Sequence, residues 1–186
     1  MTFNEKGLIR AMKAAYKEDG YTVAGTDYGY IITGEMWGVS INEKAIPNTV
    51  KSLIVLHAGK LPDVGKAISV RKDEASNVIY EMAVDRIESL DRLYRENKRE
   101  LILPTRLTID NYRLWQNPAT LAIKLIDPDN QQILDFTDND AYLICDTLYG
   151  TTVYGSVFVH REVVAPEDLP MLAHLEQMQW IPVELE

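Results

Sequence analysis

Tyr21-Thr-Val-Ala24, Tyr28-Gly-Tyr-Ile-Ile-Thr33, Gly34-Glu35, Met36-Trp-Gly-Val-Ser-Ile41 and Ile46-Pro47 follow one another in a single run that ends at Gly59. The run reads as a strand, a hairpin and a covering helix. Residues 28–33 are aromatic and β-branched, the side chains that fit a pleated, half-buried surface. Gly34 supplies the positive φ that a tight hairpin turn asks for, with Glu35 beside it. Trp37, Val39 and Ile41 alternate with Met36, Gly38 and Ser40, which is the strand period of two. Pro47 fits a helix's first turn, where its missing N–H would have no partner anyway. Val50, Leu53, Ile54 and His57 recur at helical spacing, and Gly59 is placed for a left-handed cap.

Upstream, residues 5–18 predict a helix with Leu8, Met12, Ala15 and Tyr16 as its apolar stripe. Asn4 is its N-cap and Gly20 its stop. Lys6, Arg10, Lys13 and Lys17 form a basic fringe. Downstream, residues 60–65 read as a loop and 67–72 as a strand. A short strand near residue 78 would lead into a helix over 85–98, whose opposite charges three and four apart suit an exposed face.

From Leu101 the pattern turns to strands. Residues 101–104 form a short strand stopped by Pro104. Residues 106–109 and 112–116 pair or make one bent segment. Residues 121–126 and 132–136 flank a turn at Asp127-Pro-Asp129-Asn130. Asp138-Asn-Asp140 makes another turn, and residues 141–148 and 152–162 flank a turn at Tyr149-Gly150. A short helix from Pro166 to Gln177 and an extended tail from Trp180 finish the chain. The fold class is therefore α+β: a helix-flanked β-hairpin N-terminal unit (1–76), a connecting helix (77–100) and a C-terminal antiparallel β-meander (101–186), with fusion into one domain also open.

The chain has 186 residues and a net charge of −9. Residues 1–99 carry 15 Lys/Arg and 14 Asp/Glu, whereas residues 100–186 carry 4 and 14, a net −10. So acidic a half repels phosphates and is not expected to bind nucleic acid directly. It suits a basic protein surface, and the same charge also serves solubility. No apolar run is long enough to cross a bilayer, and residues 1–10 hold no signal-peptide core. The single cysteine, Cys145, cannot form an internal disulfide; it lies in Tyr142-Leu-Ile-Cys145 and reads as a buried, inert thiol. The expected setting is cytoplasmic.

Motifs for phosphate cradles, nucleophile elbows and zinc proteases are missing from the sequence, and no catalytic residue, metal or cofactor is expected. The candidate binding residues are Asp127, Asp129, Asp135, Asp138, Asp140 and Asp146. Asp135, Asp138, Asp140 and Asp146 could mimic backbone phosphates in a basic channel, collect a divalent ion, or act as turn and edge residues that discourage sheet-to-sheet association, while Asp127 and Asp129 belong to a turn that matches a calcium loop poorly. His160-Arg161-Glu162 places an acid–base group beside a cation. His57 reads as a cation at the C-terminus of its helix. Tyr16, Tyr21, Tyr28 and Tyr30 gather around the first hairpin.

Lys6-Gly-Leu-Ile-Arg-Ala-Met-Lys-Ala-Ala-Tyr16, Gly34-Glu-Met-Trp-Gly-Val39 and Ile46-Pro47 resemble accessory proteins of phages and mobile elements of Gram-positive bacteria. That group includes anti-CRISPR proteins, which are often small and acidic. The resemblance covers about the first 72 residues and matches no site residue. It implies a binding protein that inhibits a host nucleic-acid enzyme such as a CRISPR nuclease. Two alternatives stand beside it: a metal-dependent nuclease using Asp135, Asp138, Asp140 or His160, and a homo-oligomeric structural module.

Overall fold

The computed structural model describes residues 3–73, 82–133, 141–145, 147–152, 155–160 and 169–180. Among these, five helices accompany one ten-stranded sheet in the order β4-β1-β2-β3-β10-β9-β8-β5-β6-β7. The strands are β1 (Tyr21–Thr26), β2 (Gly29–Thr33), β3 (Trp37–Asn42), β4 (Ala67–Val70), β5 (Glu100–Ile109), β6 (Tyr112–Gln116), β7 (Ile123–Ile126), β8 (Ala141–Ile144), β9 (Thr147–Thr152) and β10 (Gly155–His160). The helices are α1 (Glu5–Lys17), α2 (Asn48–Ala58), α3 (Met82–Arg95), α4 (Pro128–Gln131) and α5 (Leu169–Leu175). Every strand pair is antiparallel. The fold is α+β, with the expected N-terminal helix and hairpin and a C-terminal meander. No described helix is long and apolar enough to cross a membrane.

Strand alternation sorts the side chains onto two faces. Tyr21, Val23, Ile32, Trp37, Val39, Ile41, Ile68, Val70, Leu148, Val157 and Val159 point to one face, where Leu8 and Met12 of α1 and Val50, Leu53 and Ile54 of α2 cover them. Ala24, Ile31, Ala67, Ile144, Tyr149 and Phe158 point to the other, under Ile87 and Leu90 of α3. A third cluster lies around β6 and β7, where Leu114, Ile123 and Leu125 meet Leu172 of α5, with Trp180 packed against them. The first core draws on both halves of the chain, and β3 hydrogen-bonds to β10, so one sheet runs through them.

The N-terminal unit follows its local rules. The Asn4 side chain accepts from Gly7 N–H at 3.2 Å and caps α1. Pro47 stands just outside α2 as its N-cap, and Gly59 closes that helix at φ 78°. One expectation fails at Gly34, which does not take a positive φ. Its amide donates to Trp37 O at 2.9 Å across a turn centred on Glu35 and Met36. A Cβ on Gly34 would come within 2.5 Å of Trp37 Nε1, so glycine is required by the indole packed on it.

Several C-terminal expectations are corrected. Pro104 does not stop β5. Among the described residues Glu100, Leu101 and Ile102 pair with β8, while β5 runs on through the proline and its pairing with β6 shifts register between Pro104 and Thr108. Buried Thr105 fills the gap: its hydroxyl donates to Leu114 O at 2.9 Å and accepts from Leu107 N–H at 3.1 Å. Residues 106–109 and 112–116 do pair, through a two-residue turn with Asp110 at φ 49° and Asn111 at φ 73°. The turn expected at Tyr149-Gly150 is not there: both residues lie inside β9, which pairs antiparallel with β8 on one side and β10 on the other, and Cys145, after β8, takes a left-handed φ of 46°. Cys145 is therefore exposed, not buried. Gln132 and Ile133 form a turn after α4 where a strand was expected. The short strand near residue 78, the Asp138-Asn-Asp140 turn, the start of the last helix at Pro166 and the tail beyond Trp180 lie outside the described residues.

Candidate functional site

Gly7 sets where α1 meets the far end of the sheet. A Cβ there would collide with the backbone carbonyl of Gln132, and Asn4 N–H donates to Ile133 O at 2.7 Å. This close approach brings the flank of α1 beside the corner between β7 and α4. The turn between β2 and β3 reaches the same place. The three pieces enclose an open groove of about 340 Å³.

Carboxylates dominate the groove. Glu18 and Asp19 follow α1, Glu35 sits in the hairpin turn, and Asp127 and Asp129 open α4. Ala11, Ala14 and Ala15 keep the α1 wall low, and Trp37 forms part of the lining. The groove's cation, Arg10, donates to Gln132 Oε1 at 3.1 Å. Lys66 pairs with Asp63 and Lys98 with Glu96, both away from the groove. Asp127 Oδ1 accepts from Asp129 N–H at 2.6 Å, and Asp129 Oδ1 accepts from Gln132 Nε2 at 3.1 Å. These bonds fix the α4 corner, and each carboxylate keeps lone pairs for a donor in the groove. Such a lining can take ammonium or guanidinium groups from a protein segment.

Of the six candidate binding residues, Asp127 and Asp129 lie in this groove. Asp135, Asp138, Asp140 and Asp146 lie outside the described residues. Among the described residues no three His, Cys, Asp or Glu side chains are placed to hold a metal ion. Glu18, Asp19 and Glu35 were missed because charge was counted by halves of the chain. Their half is near neutral in sum, but the fold brings these three of its acids beside Asp127 and Asp129. The usable signal was that α1 ends on acids and the second hairpin turns on one.

Two aromatic clusters lie elsewhere. His57 Nδ1 is 2.9 Å from Tyr21 Oη, and the imidazole stacks on Tyr16 with ring centres 3.9 Å apart. Burial, with Lys13 adding to it, lowers the His57 pKa. Burial, with Tyr16 adding to it, raises that of Tyr21. The hydroxyl thus keeps its proton beside a neutral imidazole, and the two share the hydrogen bond in the direction set by the imidazole tautomer. His57 is not the helix-end cation its position suggested. The expected tyrosine group also disperses, since Tyr21 is buried while Tyr28 is 81% exposed at a turn. On the opposite face, buried Tyr149 donates its hydroxyl to Asp91. Burial raises the Asp91 pKa, the Arg95 charge lowers it, and Glu88 raises it further. Arg99 lies 3.8 Å from the ring centre of Tyr94 and 4.7 Å from that of Tyr142. These contacts tie α3 to β8 and β9.

Comparison with protein-family models, with characterised proteins and with solved structures finds no match to this chain.

Proposed function

We propose that the chain is an acidic, non-enzymatic binding protein whose groove receives basic side chains of a partner protein. The observation that carries this reading is the convergence of Glu18, Asp19, Glu35, Asp127 and Asp129, drawn from both halves of the chain, on one groove with Arg10 as its cation. Carboxylates gathered in one groove set up a field for an incoming positive charge, which speeds encounter and selects basic surfaces. Surfaces that handle nucleic acid are basic for the same electrostatic reason. The sequence resemblance to phage and mobile-element accessory proteins narrows the partner to a host nucleic-acid enzyme such as a CRISPR nuclease. Inhibition follows if the acidic groove occupies the path of the phosphates. This activity belongs in the cytoplasm, where such enzymes work.

Affinity recovery from a bacterial lysate tests the proposal, at about 50 mM and about 500 mM salt. The wild-type protein recovers a basic nucleic-acid enzyme at low salt and loses it at high salt. A Glu35→Lys/Asp127→Lys/Asp129→Lys variant recovers none. Recovery of no such enzyme, or recovery unchanged in the charge-reversed variant, overturns the reading.

A further inference from the structure

The other flank of α1 has the opposite character. Ile9 and Lys13 of α1 and Thr49, Leu53 and Leu56 of α2 line an open groove of about 480 Å³. Leu56 is 78% exposed, and Val55 beside it is 43% exposed. Lys6 and Lys13 are seven residues apart, so they share one crest of α1 along this groove. Both are exposed. The α2 sequence Asn-Thr-Val-Lys-Ser-Leu-Ile-Val-Leu-His-Ala contains no acid. The acid of α1, Glu5, accepts a hydrogen bond from the Thr49 hydroxyl at the groove's end. A chain of net charge −9 thus presents one apolar surface edged by amines.

We infer that the groove between α1 and α2 docks an acidic amphipathic helix of a partner protein, independently of the acidic groove on the opposite flank. Leucine-type side chains at i, i+3 or i+4 and i+7 would lie against Ile9, Leu53 and Leu56, as in helix-in-groove recognition. Carboxylates on the flank of the incoming helix would meet Lys6 and Lys13. The charge argues against a second copy seated face to face, because α1 and α2 of that copy would bring these lysines one acid, Glu5, already engaged by Thr49. Exposed leucine supplies area, and the amines choose the sign of the partner.

Fluorescence anisotropy with two synthetic helical peptides tests this. Both carry leucines at that spacing; one is flanked by glutamates and the other by lysines. The wild-type protein binds the glutamate peptide at least about tenfold tighter. Leu56→Asp weakens that binding by about tenfold or more, and its exposed position leaves the fold intact, which circular dichroism verifies. Lys6→Glu/Lys13→Glu reverses the preference between the peptides. Equal binding of the two peptides, no binding of either, or binding unchanged in either variant overturns the inference. So does a concentration-dependent dimer in sedimentation velocity that Leu56→Asp abolishes, since this would give the groove to a second copy.

Discussion

His57 gives the N-terminal layer a dependence on pH. The imidazole lies against Tyr16 and hydrogen-bonds Tyr21, and burial makes it hold a proton less readily than the ordinary value of 6.5. Above that value the folded and unfolded chains are both neutral at this position, and the contact contributes fully. As pH falls through 6.5 the unfolded chain takes up the proton first, so stability is lost until the lowered folded pKa is passed. The thermal midpoint of the wild type should therefore fall more than that of His57→Phe between about pH 8 and about pH 5. A constant difference between the two proteins would contradict the assignment. At Tyr149, Tyr149→Phe should lower stability by about 1 kcal/mol in denaturant titration. Asp91→Ala should lower it by about 1–3 kcal/mol, because it leaves a buried hydroxyl without its acceptor. Gly34→Ala should destabilise through the Trp37 indole, with a change in tryptophan fluorescence as its signature.

α1 is the element on which both grooves depend. Asn4→Ala removes its N-cap bond and should lower stability by about 1 kcal/mol. Gly7→Ala is the sharper test, since a methyl there pushes against the Gln132 backbone. It should destabilise by about 1–3 kcal/mol and loosen the acidic groove, read as faster amide exchange around residues 127–132. The first three strands and both flanking helices were legible because each was written locally, by strand alternation, an Asn cap and a Gly stop. The C-terminal strands were less so. Pro104 looked like a stop because proline has no N–H for a ladder, whereas β5 continues through it with a register shift against β6. Tyr149-Gly150 looked like a turn because aromatic-glycine pairs often make one, whereas the fold needs the tyrosine ring under α3. Cys145, which adopts the left-handed backbone instead, carries no turn signature at all.

At the scale of the whole molecule, charge is arranged by flank of α1. Acids gather where α1 meets the β7 and α4 corner, and amines line the crest beside α2. Asp127 and Asp129 stand out in the local composition, and both line the groove. Their partners Glu18, Asp19 and Glu35 do not stand out in it, because three distant segments meet only in the folded sheet. Reversing the charge of exposed Glu35 alone should leave the folding midpoint nearly unchanged while weakening partner recovery, since exposed charges contribute little to stability. The junction between β3 and β10 bears on how the chain is made. Val39 is hydrogen-bonded opposite Val157, so β3 emerges from the ribosome long before the strand that will cover it. A nascent chain released too early would carry a bare row of N–H and C=O groups, open to any neighbouring polypeptide. Translation of this protein is thus a race between finishing the last strand and sticking to another chain.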